Sequence, residues 1–178
     1  VTVVEQNRRL EISPSPTTTG YGGYASVQTI DMTDAAASAA VVQTSVGSSN
    51  TILRVGPSDS NHIQIVTESG GLYFQYWIGS SRSQTSTPYN AALHRYWRIR
   101  HNALTDAVAW ETSADGLQWA ARQTAPRRFA VNNLQARIYA GRYTTTTPPQ
   151  VTIFDNYRVE DNPPSGVLLA DDFNDNST

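Results

Sequence analysis

Apolar and polar residues alternate along this chain at a period of two, and turn-forming residues interrupt the alternation at intervals of roughly 8–14 residues. That pattern, more than any other, limits what the sequence can fold into. The best helical candidate, 34–40, is short, rich in alanine and lacks a second apolar stripe. It reads as the approach to a strand. Strand patterns are predicted at 1–5 and 10–13 around a Gln6-Asn7-Arg8 turn, and at 24–30, 40–46 and 51–55. Two more, 62–67 and 72–78, flank Glu68-Ser69-Gly70-Gly71, whose residue types suit a hairpin turn. The segments 94–101, 106–111 and 117–123 read as a meander, and 134–143 and 150–159 close the body. With no segment able to serve as a crossover helix, every pairing is expected to be antiparallel.

At 178 residues the chain suits one domain. Charged residues are 16% of the total and the net charge is −2, so nothing draws the whole molecule to nucleic acid or to an anionic membrane. No apolar run approaches the ~20 residues of a membrane helix. Cysteine is absent, which removes disulfides, thiolate metal sites and cysteine nucleophiles, and all 13 basic residues are arginine. No leader is visible ahead of Val1, consistent with one removed or with an excised piece of a longer protein.

Alternation also assigns faces. Trp97 and Ile99 share one side of their strand, Val108 and Trp110 one side of the next, and Leu117 and Trp119 one side of the third. The three tryptophans therefore read as one core layer.

The segments His94-Arg95-Tyr96-Trp97-Arg98-Ile99-Arg100 and Trp110-Glu111-Thr112-Ser113-Ala114-Asp115-Gly116-Leu117-Gln118-Trp119 resemble the core motifs of concanavalin A-like lectin/glucanase modules, close to laminin-G-like domains. Glu5–Ile12 and Phe154–Val159 extend the resemblance over most of the chain. Such modules occur in bacterial extracellular and phage tail proteins. The resemblance implies an all-β, two-sheet antiparallel jelly-roll sandwich and an extracellular, cell-surface or virion-surface location. It does not fix function, because the fold hosts lectins, glycosidases and structural domains. Glu111 and Asp115 are not expected to converge as a catalytic pair, and no strand carries the alternating acids of the family's glycosidase branch. The chain is accordingly expected not to be an enzyme.

Modules of this kind open with an acidic, aromatic first strand, and here that element stands at the C-terminus instead. The expected organisation is a sandwich domain at 1–161, a linker at 162–166, and a strand at 167–178 filling the first-strand slot of its own or a neighbouring domain. Leu168, Leu169, Asp171, Asp172 and Phe173 are its assembly residues. Strand donation between copies, building a filament or tandem array, is the alternative to a carbohydrate-binding and adhesion module.

The candidate ligand residues are Tyr21, Tyr24, Tyr73, Gln75, Trp77, Tyr89 and Tyr143, because aromatic rings stack on sugar faces and amides bond hydroxyls. The expected partner is a glycan or cell-surface polysaccharide, with self-association or neighbouring repeats, and without nucleic acid or membrane insertion. No cofactor is expected beyond a structural calcium, for which Asp155, Asp171 and Asp172 supply oxygen ligands of the right type.

Overall fold

The computed structural model describes residues 1–146, 148–161, 167–171 and 173. The described chain is all-β and forms two antiparallel sheets. The strands are β1 (Thr2–Gln6), β2 (Arg9–Ser13), β3 (Gly20–Ala25), β4 (Ala35–Gln43), β5 (Ser49–Gly56), β6 (Asn61–Glu68) and β7 (Gly71–Ile78). They continue as β8 (Ser81–Pro88), β9 (Tyr96–Asn102), β10 (Ala107–Ser113), β11 (Ala120–Pro126), β12 (Gln135–Arg142), β13 (Thr152–Asp161) and β14 (Val167–Asp171).

The first sheet runs β1-β2-β13-β4-β9-β10-β11, with β14 also on β13, and the second runs β3-β12-β5-β6-β7-β8. Neighbours distant in sequence, such as β13 with β4 and β12 with β5, give the jelly-roll connectivity. Hairpin turns fall where the residue types place them. Asn7 and Arg8 have φ of 55° and 59°, and Ser69 and Gly70 of 49° and 80°, matching the right-handed twist of their flanking strands.

The core lies between the sheets. Trp97, Ile99 and Trp110 of the first sheet face Leu53, Ile65, Phe74 and Ile138 of the second, and all are buried. The Trp110 indole N–H donates to the Gln64 carbonyl at 3.0 Å, so a residue of one sheet holds the central strand of the other.

Three expectations about strands are corrected. The alanine-rich segment at 34–40 is not an approach but most of β4, a central strand, because its small side chains are buried between neighbours on both sides. Ser81–Pro88, predicted as no strand, forms β8 at a sheet edge, where a run without apolar residues satisfies its backbone on β7. Trp119 does not join the core: Leu117 is 80% exposed in the turn, and the Arg98 guanidinium lies 4.0 Å above the Trp119 ring. Arg98 and Arg100 both bond the buried Glu111 carboxylate, at 2.6 and 3.1 Å, on the outside of the first sheet.

The C-terminal strand lies along its own chain. β14 pairs with β13 through Arg158↔Ala170 and Val159↔Leu169, while β2 pairs with the other half of β13 through Phe154↔Leu10. One edge of β13 is thus covered by two segments in line. Phe173 follows β14 and is buried, its ring edge-on to Tyr24 at 5.8 Å. Asp172 and the predicted linker 162–166 lie outside the described residues.

Candidate functional site

On the second sheet, Leu53, Ile63, Ile65, Phe74 and Ile138 point into the core, so Arg54, Gln64, Gln75 and Arg137 point out. The outer face forms a groove of about 640 Å³ that takes lining residues from all six strands. Register places Arg137, Arg54, Gln64, Gln75 and Gln84 side by side on β12, β5, β6, β7 and β8. Hydrogen bonds run along this row: Arg54 Nε donates to Gln64 Oε1 at 2.9 Å, Gln64 Nε2 to Gln75 Oε1 at 2.7 Å, and Gln75 Nε2 to Gln84 Oε1 at 3.0 Å. The Trp77 indole N–H also donates to Gln75 Oε1, at 3.0 Å. Gln64 and Gln75 are buried by this network, which fixes their amides in one orientation.

Aromatic rings frame the row. Tyr21 lies across the β12 end, where a Cβ on Gly141 would come within 2.5 Å of its ring, so only glycine leaves room for it. Its hydroxyl donates to Asn50 Oδ1 at 2.8 Å, and its ring meets Tyr139 edge-on at 6.0 Å. Burial, and then Glu68, raises the Tyr21 pKa. Trp77 is flanked by its strand neighbours, with His62 stacked at 5.7 Å and the Arg82 guanidinium 5.3 Å from its ring centre. Burial, with Arg54 adding to it, pushes the His62 pKa down to about 3. Burial likewise lowers the Arg54 pKa, its guanidinium resting 4.9 Å from the Tyr139 ring centre.

The predicted ligand residues divide. Tyr21, Gln75, Trp77 and Tyr143 line the groove, with Tyr21 and Tyr143 the exposed pair at 46% and 47%. Gln75 is not part of an exposed stripe; it is buried by its own ladder. Tyr24 borders the groove, but its ring packs against the core and Phe173 and its hydroxyl donates to Glu5, so it presents little to a ligand. Tyr73 packs over Gly71 and is not among the residues that line the groove. Tyr89 packs edge-on to the core Trp97 and faces a neighbouring recess that shares Glu68 and Tyr143 with the groove. Arg54, Gln64, Asp59, Arg137 and Tyr139 were not among the predicted residues, although Arg54 and Gln64 alternate outward within predicted strands.

Of the candidate calcium ligands, Asp155 and Asp171 are described and each meets another group. Among the described residues no group of three His, Asp or Glu side chains is placed to hold a metal ion. The Asp155 carboxylate faces Arg9 at 3.8 Å, Asp171 accepts the Phe173 backbone N–H at 2.7 Å, and Asp172 lies outside the described residues. No described helix is long and apolar enough to cross a membrane.

The sequence matches no protein-family model and no curated protein. Solved structures do resemble it. A functionally unknown protein from Saccharomyces cerevisiae is 14% identical with a TM-score of 0.55, covering 93% of both chains. An immunostimulatory antigen and pseudo β-1,3-glucanase of Mycobacterium tuberculosis is 12% identical with a TM-score of 0.56, over 86% of this chain and 75% of that one. A Bacillus licheniformis β-glucanase is 14% identical with a TM-score of 0.53, over 82% and 75%. The last match corrects the expectation that this chain is not an enzyme: a β-glucanase shares its architecture, and the missing glycosidase motif no longer supports that exclusion. The chain has the concanavalin A-like/glucanase β-sandwich fold.

Proposed function

We propose that the groove on the second sheet binds a glycan chain outside the cell, at a cell or virion surface. One observation carries the reading: a hydrogen-bonded row of four side chains, Arg54, Gln64, Gln75 and Gln84, runs across the outer face of the sheet with Arg137 beside Arg54 in register, and aromatic rings flank it where it floors the groove. Sugars offer apolar ring faces and a rim of hydroxyls, and this surface offers Tyr21 and Tyr143 to the faces and the Arg54 and Arg137 guanidinium groups to the hydroxyls, with the buried Gln64 and Gln75 amides holding Arg54 in place. Two solved structures of the same fold bear glucanase in their names, which supports the reading by analogy.

The test is titration of the protein against neutral and acidic polysaccharides, followed by tryptophan fluorescence, with release of reducing ends measured alongside to detect cleavage. Binding to at least one glycan is expected, weakened about tenfold by Tyr21→Ala or Tyr143→Ala. Binding unchanged in both variants, or no binding across the panel, overturns the proposal.

A further inference from the structure

The charge distribution of the groove points to the class of glycan, an inference that rests on the glycan-binding reading. Arg54 and Arg137 stand directly opposite each other on β5 and β12. Like charges in that relation destabilise a sheet pair, so the arrangement carries a cost for the fold. A single carboxylate oxygen offsets it: Asp59 Oδ1 accepts from Arg54 Nη1 at 3.2 Å and from Arg137 Nη1 at 2.8 Å. Asp59 belongs to the loop between β5 and β6, and its side chain is 79% exposed. Arg82, on the far side of the same end, rests over Trp77 and has no carboxylate partner among the described residues. Three arginines therefore face one aspartate at this end of the groove, on a protein whose net charge is −2. The other groove carboxylate, Glu68, stands beside Tyr143 at the opposite end of β6.

We infer that the groove takes an anionic glycan bearing carboxylates, a polyuronate, with a uronate carboxylate seated against Arg54 and Arg137 where Asp59 now reaches in from the loop. The convergence of two guanidinium groups on one carboxylate oxygen shows the geometry a planar acid finds there, and Arg82 offers a second contact along the chain. Asp59 then competes with the ligand, so its removal strengthens binding. A purely structural role for the arginines predicts no such gain.

The experiment compares polygalacturonate with its carboxyl-reduced form, and with dextran sulfate, by calorimetric titration at low and at raised salt. The acid form is expected to bind about tenfold tighter than the reduced form, with the preference shrinking as salt rises. Asp59→Ala is expected to tighten the acid form severalfold and leave the reduced form unchanged. Arg137→Gln is expected to weaken the acid form about tenfold, and the exposed Arg82→Gln reports the same sign should Arg137→Gln fail to fold. If the reduced form binds as tightly as the acid form, the charge inference falls and the glycan reading stands. Dextran sulfate binding tighter than polygalacturonate, with Asp59→Ala silent toward the latter, overturns the carboxylate assignment. If none of the three binds while other glycans do, the polyuronate class is wrong. If no glycan binds at all, both readings fall.

Discussion

Phe173→Ala asks whether the C-terminal strand belongs to this fold energetically. The Phe173 ring is 1% exposed and reaches from the β14 side of the first sheet to Tyr24 on β3 of the second. Its backbone sits at φ 52°, a left-handed conformation that costs a non-glycine residue roughly 1–2 kcal/mol. Alanine carries the same backbone cost, so the substitution removes the ring and little else. Truncating a buried phenylalanine typically costs about 3–5 kcal/mol, the sum of lost transfer energy and the cavity left behind. For a chain of this size each kcal/mol moves the melting temperature by about 2–4 °C, so a drop of roughly 10 °C is expected. Urea unfolding of the wild type and the variant measures the difference, with Leu117→Ala, at an 80% exposed position, as a control within about 0.5 kcal/mol. A loss below about 1 kcal/mol for Phe173→Ala would show that the ring does not seal the sandwich and that β14 is an ornament on its edge. The wild-type midpoint is expected to be independent of protein concentration, since β14 lies on its own chain; a midpoint that climbs with concentration would assign the strand to exchange between copies.

Other consequences can be checked in the same way. Gln75→Ala strands the Gln64 amide and the Trp77 indole N–H, and is expected to cost about 2 kcal/mol in urea unfolding while Gln84→Ala, at the exposed end of the ladder, costs little. Glu111→Ala leaves Arg98 and Arg100 side by side on β9 without their shared acid, and is expected to lower stability by about 2–3 kcal/mol in the same assay. Folded His62 resists protonation down to about pH 3 whereas the unfolded residue titrates near 6.5, so between those values the unfolded state binds the extra proton. Stability therefore falls as pH is lowered through that window, by at most about 1.4 kcal/mol per pH unit from this residue. Burial lowers the His94 pKa too and contributes with the same sign. His62→Phe, which keeps a ring against Trp77, is expected to lose roughly 1–2 kcal/mol less than wild type between pH 7 and pH 5; parallel losses would refute the assignment.

The sandwich was legible because its signals are local. A strand with one buried face writes its alternation into consecutive residues, as in 72–78, and a two-residue turn such as Ser69-Gly70 fixes where each strand ends. Elements without such a signal were lost. β4 buries alanines that have low intrinsic preference for strands, so tertiary packing decides its state. β8 shows no alternation because an edge strand covered by solvent has no need of it. Trp119 failed in the opposite sense: its spacing from Leu117 looked like a core pair, but Arg98 across the sheet offers its ring a partner outside the core.

The groove was half legible for a related reason, which concerns register. Within a hairpin, residues equally distant from the turn stand opposite each other, so Gln64 and Gln75 could be paired from the turn at Ser69-Gly70 alone. Aromatic type drew attention to the outward face of β7, and Gln75 and Trp77 were found there, but their partners on β6 and β5 carry no aromatic signal. Arg137 opposite Arg54 joins segments 83 positions apart in sequence, through a pairing of β12 with β5 that no local pattern announces. Acids alternating along one strand form a pattern that lies within a single segment. The chemistry of this surface runs the other way, perpendicular to the strands, with one residue contributed by each. A row of that kind exists only once the sheet is assembled, so no run of consecutive residues announces it.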